Sequence, residues 1–168
     1  RPRIVDASAL DAIVMGQGSE GRPWVLTPHA GELKALVRRL DLGLPDPLEH
    51  PLDAVRGAAA ALGCVVLLKG PTTLVATADG YVCSACCAGP ELAVAGSGDT
   101  LAGILGALLA THAQRAQREG RVLEQAELAE LAAAAAVIHG EAGAMQSRRG
   151  IKGVDMLARS VGDVITRR

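Results

Sequence analysis

Leu92-Ala93-Val94-Ala95-Gly96-Ser97-Gly98-Asp99-Thr100-Leu101-Ala102-Gly103 is the stretch of this 168-residue chain that decides its fold. Two glycines flank Ser97, and Asp99 follows directly before an apolar, helical segment. The first N–H groups of a helix have no partner within it and favour a bound anion such as phosphate. Asp99 stands where it can take a proton from a group that attacks that phosphate. The stretch predicts phosphoryl chemistry, although Ser and Asp also favour helix starts as ordinary caps.

Strand-like and helical segments alternate on both sides of this turn. Apolar runs predict three buried strands and a hairpin, at residues 4–5, 24–26, 64–68, 73–77 and 81–84. Helical spacing predicts helices at residues 32–40, 52–62, from the turn before Thr100 to about 111, 124–145 and 153 to about 166. Residues 17–22 and 114–121 read as connections, and 11–15 as a short helix or an extended piece. The alternation predicts a layered α/β domain with a largely parallel sheet.

Polar residues follow each predicted parallel strand, namely Asp6, His29 and Lys69. Ligands of such sheets bind at the carboxyl ends of the strands, so these side chains should lie beside the turn that precedes Asp99. The Lys69 ammonium ends a buried strand, which is costly unless it meets an anion or reaches water. Gly70 allows a ligand to approach closely.

The same residues also have ordinary structural explanations. Lys69 can be explained as a solvated strand end that is followed by a turn at Pro71. The hydroxyls of Thr72 and Thr73 can nevertheless bond phosphate or sugar oxygens. Glu32 stands near a helix start, where a carboxylate is favoured in any case. Asp6 either reaches the sheet edge or caps the next element, His139 is interpreted as a packing histidine, and His50 and His112 as surface residues.

Composition narrows the class of protein. The formal net charge is −1, so the sequence gives no sign of a nucleic-acid partner. Hydrophobic residues make up 49% of the chain and aromatic residues 1%, which suits small side chains packed between a sheet and helices. We find no signal peptide or membrane span in the sequence and expect a soluble, cytoplasmic protein.

The four cysteines are Cys64, Cys83, Cys86 and Cys87. A second Cys/His pair at zinc-ligand spacing is missing, so we interpret them as reduced, structural thiols and predict no resident metal site. The chain opens without Met and enters a strand almost at once. We therefore expect residues 1–168 to form one partial domain whose preceding part is missing or belongs to another chain.

The motifs together resemble one known family. In order they are Thr27-Pro28-His29-x-Gly31-Glu32, Leu68-Lys69-Gly70-x-Thr72, the quoted stretch from Leu92 to Gly103, and His139-Gly140-x-Ala142-Gly143. The chain resembles the ADP/ATP-dependent NAD(P)H-hydrate dehydratases of the ribokinase-like superfamily. The resemblance implies a three-layer α/β/α ribokinase-like fold that lacks its N-terminal portion. It also implies a lyase that repairs hydrated NADH and NADPH, with ADP or ATP as co-substrate and Mg²⁺ beside the nucleotide.

The resemblance also implies roles for individual residues. Asp99 would be the catalytic base and, with His29, would contact the hydrate. The N–H groups of Gly96, Ser97 and Gly98 would form the anion hole. The adenine nucleotide would be held by Lys69, Gly70, Pro71, Thr72, Thr73 and Gly98.

The chain departs from the family pattern in places, and two other functions stay open. Asp6-Ala7-Ser8 stands where relatives often have Asp-Ala-Asp, and Gly89-Pro90-Glu91 where they often have an Asn. Many relatives also carry an N-terminal epimerase domain, which this sequence does not show. A ribokinase-like kinase of a vitamin-precursor alcohol is one alternative, and a nucleotide-binding module without turnover is the other. The motifs favour ADP over ATP, and an Ala-rich surface would permit a homo-oligomer.

Overall fold

The computed structural model describes residues 2–15, 23–86, 89–150 and 153–166. The five strands are β1 Arg3–Val5, β2 Trp24–Leu26, β3 Val65–Leu68, β4 Thr73–Ala76 and β5 Val82–Ala85. The five α-helices are α1 Ala30–Arg39, α2 Pro51–Leu62, α3 Ser97–Arg118, α4 Gln125–Arg148 and α5 Val154–Thr166. Short 3₁₀ helices cover Ala7–Ala12 and Pro90–Leu92.

The strands form one sheet in the order β1-β2-β3-β4-β5. The first three run parallel to one another, while β4 and β5 pair antiparallel as the predicted hairpin. The layered α/β prediction is confirmed, but the sheet is mixed rather than largely parallel, because the hairpin supplies two of its five strands.

Helices cover both faces of the sheet. Every residue of β3 is buried, as a strand packed on both sides requires. Successive side chains of a strand alternate between faces. Val65 and Leu67 accordingly pack with α3 and α4, while Val66 and Leu68 pack with α1 and α2.

The helix α4 shows how the near absence of aromatic residues is accommodated. Its buried alanines, among them Ala129, Ala132 and Ala135, lie in the core beside the sheet. The helix is long and apolar enough to cross a membrane by length and composition, yet 56% of its most apolar window is buried inside the structure. Its apolar character is therefore explained by the core.

Several predicted boundaries need correction. The helix α3 does not end near Thr111 but continues to Arg118, so most of the predicted connection at 114–121 is helical. Its Arg and Gln residues are good helix formers, Ala116 is buried, and Arg115 pairs with Glu119 at 3.1 Å. Residues 7–12 form a 3₁₀ helix, whereas Gly63 ends α2 in the left-handed conformation, as predicted. The predicted loop at 17–22 lies outside the described residues.

Candidate functional site

The parallel strands bring Asp6, His29 and Lys69 to one edge of the sheet. Backbone pairing continues past the strand ends, because the Lys69 N–H donates to the carbonyl of Pro28 at 2.8 Å. The Thr27 N–H likewise donates to the carbonyl of Val5 at 3.0 Å. The strand-end prediction for these three residues therefore agrees with their placement.

Lys69 lies between two carboxylates. Its Nζ is 2.8 Å from Asp6 Oδ1 and 3.6 Å from Glu32 Oε2, and its side chain is only 20% exposed. Asp6 makes no side-chain cap bond to the 3₁₀ helix that follows it. Of the two roles open for Asp6, the structure therefore supports the one at the sheet edge. The Lys69 ammonium is thus held in place by the protein's own anions, with a net negative charge on the trio.

His29 and Glu32 form the start of α1. The His29 Nδ1 accepts the Glu32 N–H at 3.2 Å, and Glu32 Oε2 accepts the His29 N–H at 2.7 Å. This reciprocal capping box accounts for both residue types in structural terms. The His29 side chain nevertheless stays 58% exposed, so its ring can still meet a ligand.

The turn before Asp99 starts α3 without a side-chain cap. Gly96 occupies the capping position with φ of +84°, a left-handed conformation that favours glycine. The Ser97 N–H donates to the carbonyl of Val94 at 3.2 Å, so it is engaged, and the predicted anion hole loses this donor. Within the described part of the chain, the Gly98 and Asp99 N–H groups make no hydrogen bond.

The side chains of this turn do not act as ordinary caps. Ser97 Oγ is instead 3.0 Å from His139 Nε2, and both side chains are buried. The Asp99 carboxylate is exposed and has no hydrogen bond or ion pair with any residue that the structure describes. Neither side chain makes a capping hydrogen bond, although Asp99 still lies in the first turn of α3, where a carboxylate is favoured in any case.

Gly98 lies against the strand-end charges. A Cβ placed on it would be 3.4 Å from Lys69 Nζ and 3.9 Å from Asp6 Oδ2. The ammonium of Lys69 thus stands beside Gly98, in the first turn of α3. An ammonium and helix N–H groups that converge on one place form a site suited to an anionic group.

A cavity of about 670 Å³ opens at this place. Most of the predicted ligand-binding residues line it: His29, Lys69, Gly70, Pro71, Thr73, Ser97 and Gly98. The predicted residues Thr72, Gly96 and Asp99 are not among the lining residues. Asp99 instead lines a neighbouring apolar groove of about 570 Å³ between α3, α4 and α5.

Two features of the cavity were not anticipated from the sequence. His139, interpreted as a packing residue, is buried but lines the cavity through α4. The second is an apolar wall formed by Pro90, Leu92, Ala93 and Val94. Leu92 packs closely on Gly143 of α4, where an added Cβ would lie 2.6 Å from Leu92 Cδ2. The His-Gly-x-Ala-Gly motif was the available signal, since it places small residues where this wall meets α4.

The described thiols do not line the cavity, although Cys86 Sγ donates to Thr72 Oγ1 at 3.8 Å. Cys64 is buried, Cys83 is half-buried and Cys86 is exposed, and all three are free. Burial raises the pKa of the Cys64 thiol to about 12. Cys87 lies outside the described residues. No group of three or more His, Cys, Asp or Glu side chains is placed to hold a metal within the described ranges.

Solved structures with the same fold include two enzymes of different activity. The ADP/ATP-dependent NAD(P)H-hydrate dehydratase from Bacillus subtilis, co-crystallised with ATP and Mg²⁺, is 24% identical with a TM-score of 0.77. The alignment covers 99% of this chain and 55% of that one. The hydroxyethylthiazole kinase from Pyrococcus horikoshii is 21% identical with a TM-score of 0.63, over 89% of this chain and 51% of that one. The fold is therefore ribokinase-like, as expected.

Sequence comparison is more specific. The bifunctional NAD(P)H-hydrate repair enzyme Nnr of Synechocystis sp. is 39% identical over 114 residues, which are 65% of this chain and 21% of that protein. The Nnr enzyme of Mycobacterium tuberculosis is 41% identical over 116 residues, which are 66% of this chain and 23% of that protein. The chain thus spans about a fifth of these relatives and about half of the solved dehydratase. The family model for NAD(P)H-hydrate dehydratase matches residues 1–167, and the chain belongs to that family.

Proposed function

We propose that this chain serves in the ADP-dependent dehydration of hydrated NADH and NADPH, with ATP as the alternative phosphoryl donor. The observation that carries the proposal is the uncapped start of α3. Its Gly98 and Asp99 N–H groups make no hydrogen bond within the described ranges, and a Cβ on Gly98 would lie 3.4 Å from Lys69 Nζ. This arrangement suits the charge that develops on a transferred phosphoryl group.

Asp99, whose exposed carboxylate lines the neighbouring groove and not the cavity, would begin the chemistry as a general base at the start of α3. It accepts the proton of the hydrate's ring hydroxyl while the hydroxyl oxygen attacks the terminal phosphorus of the nucleotide. The bond from that phosphorus to the bridging oxygen breaks, so ADP leaves as AMP. Phosphate then leaves the ring carbon, and a proton leaves the neighbouring carbon. The new double bond restores the reduced nicotinamide.

The remaining predicted residues would bind the two ligands. Lys69 and Thr73 line the cavity and would hold the nucleotide together with Gly70, Pro71, Thr72 and Gly98. The exposed ring of His29 would contact the hydrate. Gly96 would contribute through its left-handed turn, which orients the N–H groups that follow it.

A nucleotide with Mg²⁺ suits the groups at this site. Lys69 and the free N–H groups are donors for phosphate oxygens, and Gly98 has no Cβ to block them. The described residues hold no ready-made cluster of metal ligands. Mg²⁺ bound with the nucleotide would supply positive charge beside its phosphates, next to Lys69.

One assay tests this proposal against its alternatives. The protein is incubated with hydrated NADH, Mg²⁺ and either ADP or ATP, and the recovery of dihydronicotinamide absorbance is followed. We expect recovery with both nucleotides and faster recovery with ADP. Absence of recovery from folded protein would refute the proposal. Phosphate transfer to a vitamin-precursor alcohol would instead support the kinase, and nucleotide binding without either reaction would support the module without turnover.

A further inference from the structure

Ser97 and His139 form a buried polar pair that none of the proposed steps uses. Ser97 Oγ lies 3.0 Å from His139 Nε2, and the two residues are 4% and 7% exposed. The pair joins the first residue of α3 to the middle of α4, across 42 positions of sequence. Both side chains also line the cavity.

The surroundings of the pair make a mere packing role a poor explanation. Next to His139 the buried positions of α4 are small, among them Ala136, Gly140 and Ala142. A buried hydroxyl and imidazole are costly unless they satisfy each other, so two apolar side chains would serve packing alone at lower cost.

The position of Ser97 connects this pair to the anion-binding turn. Ser97 stands between Gly96, which has a φ of +84°, and Gly98, which lies beside the Lys69 ammonium. The two free N–H groups belong to the next two residues, Gly98 and Asp99. A side-chain anchor at Ser97 fixes the first turn of α3 in a segment that glycine would otherwise leave loose.

We propose that His139 is a positioning residue which, through Ser97, holds the first turn of α3 so that the Gly98 and Asp99 N–H groups point at the nucleotide's phosphate. This inference rests on the proposed function, because it takes the ligand to be the nucleotide. His139 does not need to touch the reacting atoms. Its effect is to keep the donors preorganised, so that binding does not have to order them.

The test measures ADP binding by calorimetry, which does not depend on turnover. Removing the bond with His139→Leu or Ser97→Ala should weaken ADP binding roughly five- to tenfold, the value of one neutral hydrogen bond expressed in affinity. The double variant should bind no more weakly than either single variant, because both delete the same bond. His139→Gln, whose amide can still reach Ser97, should restore most of the affinity.

A matched control separates positioning from general loss of stability. Gln125 begins α4, accepts the Ala78 N–H at 2.8 Å and donates to the Gly63 carbonyl at 3.3 Å, and it does not line the cavity. Gln125→Leu removes tertiary hydrogen bonds from the same helix, so it should lower the free energy of unfolding measured in urea. The ADP affinity should stay within about twofold of the wild type, because Gln125 contacts none of the ligand-binding groups.

The outcomes distinguish this inference from the proposed function. Equal ADP affinity in the wild type and in Ser97→Ala, or additive losses in the double variant, would overturn the positioning role. Wild-type protein that binds ADP but restores no NADH would refute the proposed dehydration, while the binding comparison would still decide the role of His139. Wild-type protein without ADP binding would overturn both.

Discussion

The substitution Gly98→Ala should weaken nucleotide binding at the start of α3 and leave the protein folded. The backbone of Gly98 is not in the left-handed region, so alanine is unstrained there. Its Cβ would lie 3.4 Å from Lys69 Nζ and 3.9 Å from Asp6 Oδ2, which are ordinary contact distances. We therefore expect the free energy of unfolding to stay the same or to rise by up to about 1 kcal/mol, as for other Gly→Ala changes in a helix.

The effect on binding should be much larger. The added methyl group occupies the gap between the turn and the Lys69 ammonium, where a phosphate oxygen would contact both. Loss of one hydrogen bond that involves a charged group costs about 1.5–3 kcal/mol. This corresponds to a roughly ten- to hundredfold higher dissociation constant for ADP with Mg²⁺.

Calorimetric titration of ADP and urea unfolding measure the two quantities on the same protein. Gly162→Ala is the control, because Gly162 is exposed inside α5 with nothing within 4 Å of an added Cβ. That variant should gain about 0.5–1 kcal/mol in stability and keep its ADP affinity. A folded Gly98→Ala protein that binds ADP as tightly as the wild type would refute the reasoning, since no anion would then approach Gly98.

Three further predictions concern the charges and thiols. Lys69→Met should lower both the ADP affinity and the free energy of unfolding, because Asp6 and Glu32 lose their counter-charge. Adding Asp6→Asn to this variant should recover stability against urea but should not recover ADP binding. Burial lowers the pKa of His139 from 6.5, an effect that hydrogen bonding to the Ser97 backbone offsets only in part, so the unfolded chain binds the proton more readily. The free energy of unfolding should therefore fall as the pH drops below 6.5, and this fall should be smaller in His139→Gln. Cys64 should resist alkylation by iodoacetamide at pH 8 in the folded protein, because the thiol is buried and its pKa is raised to about 12. Exposed Cys86 should be alkylated under the same conditions. Peptide mass mapping measures both reactions.

The strand-end residues could be predicted from the sequence because a simple rule governs them. Parallel strands end at a common edge, so Asp6, His29 and Lys69 had to lie near one another once three parallel strands were identified. The helix start at Gly96 was equally readable, because two glycines around one serine are unusual in front of an apolar helix.

What the sequence did not reveal depends on tertiary packing. The bond between Ser97 and His139 requires knowing which face of α4 meets the start of α3, and the alanines of α4 mark no single face clearly. The rotation of α3 about its own axis likewise decides whether Asp99 faces the cavity or the groove beside α5. In the structure Asp99 lines the groove. The length of α3 was underestimated because charged residues on its exposed face resemble a connection.

Asp99→Asn gives the most direct test of the central claim. Asparagine keeps the shape of the side chain but cannot accept the hydroxyl proton at neutral pH. With hydrated NADH, ADP and Mg²⁺, we expect the rate of NADH recovery to fall by a factor of about 10²–10⁴ while ADP affinity stays within about threefold. A variant that restores NADH at a rate close to that of the wild type would contradict the account, because Asp99 would then not be the base.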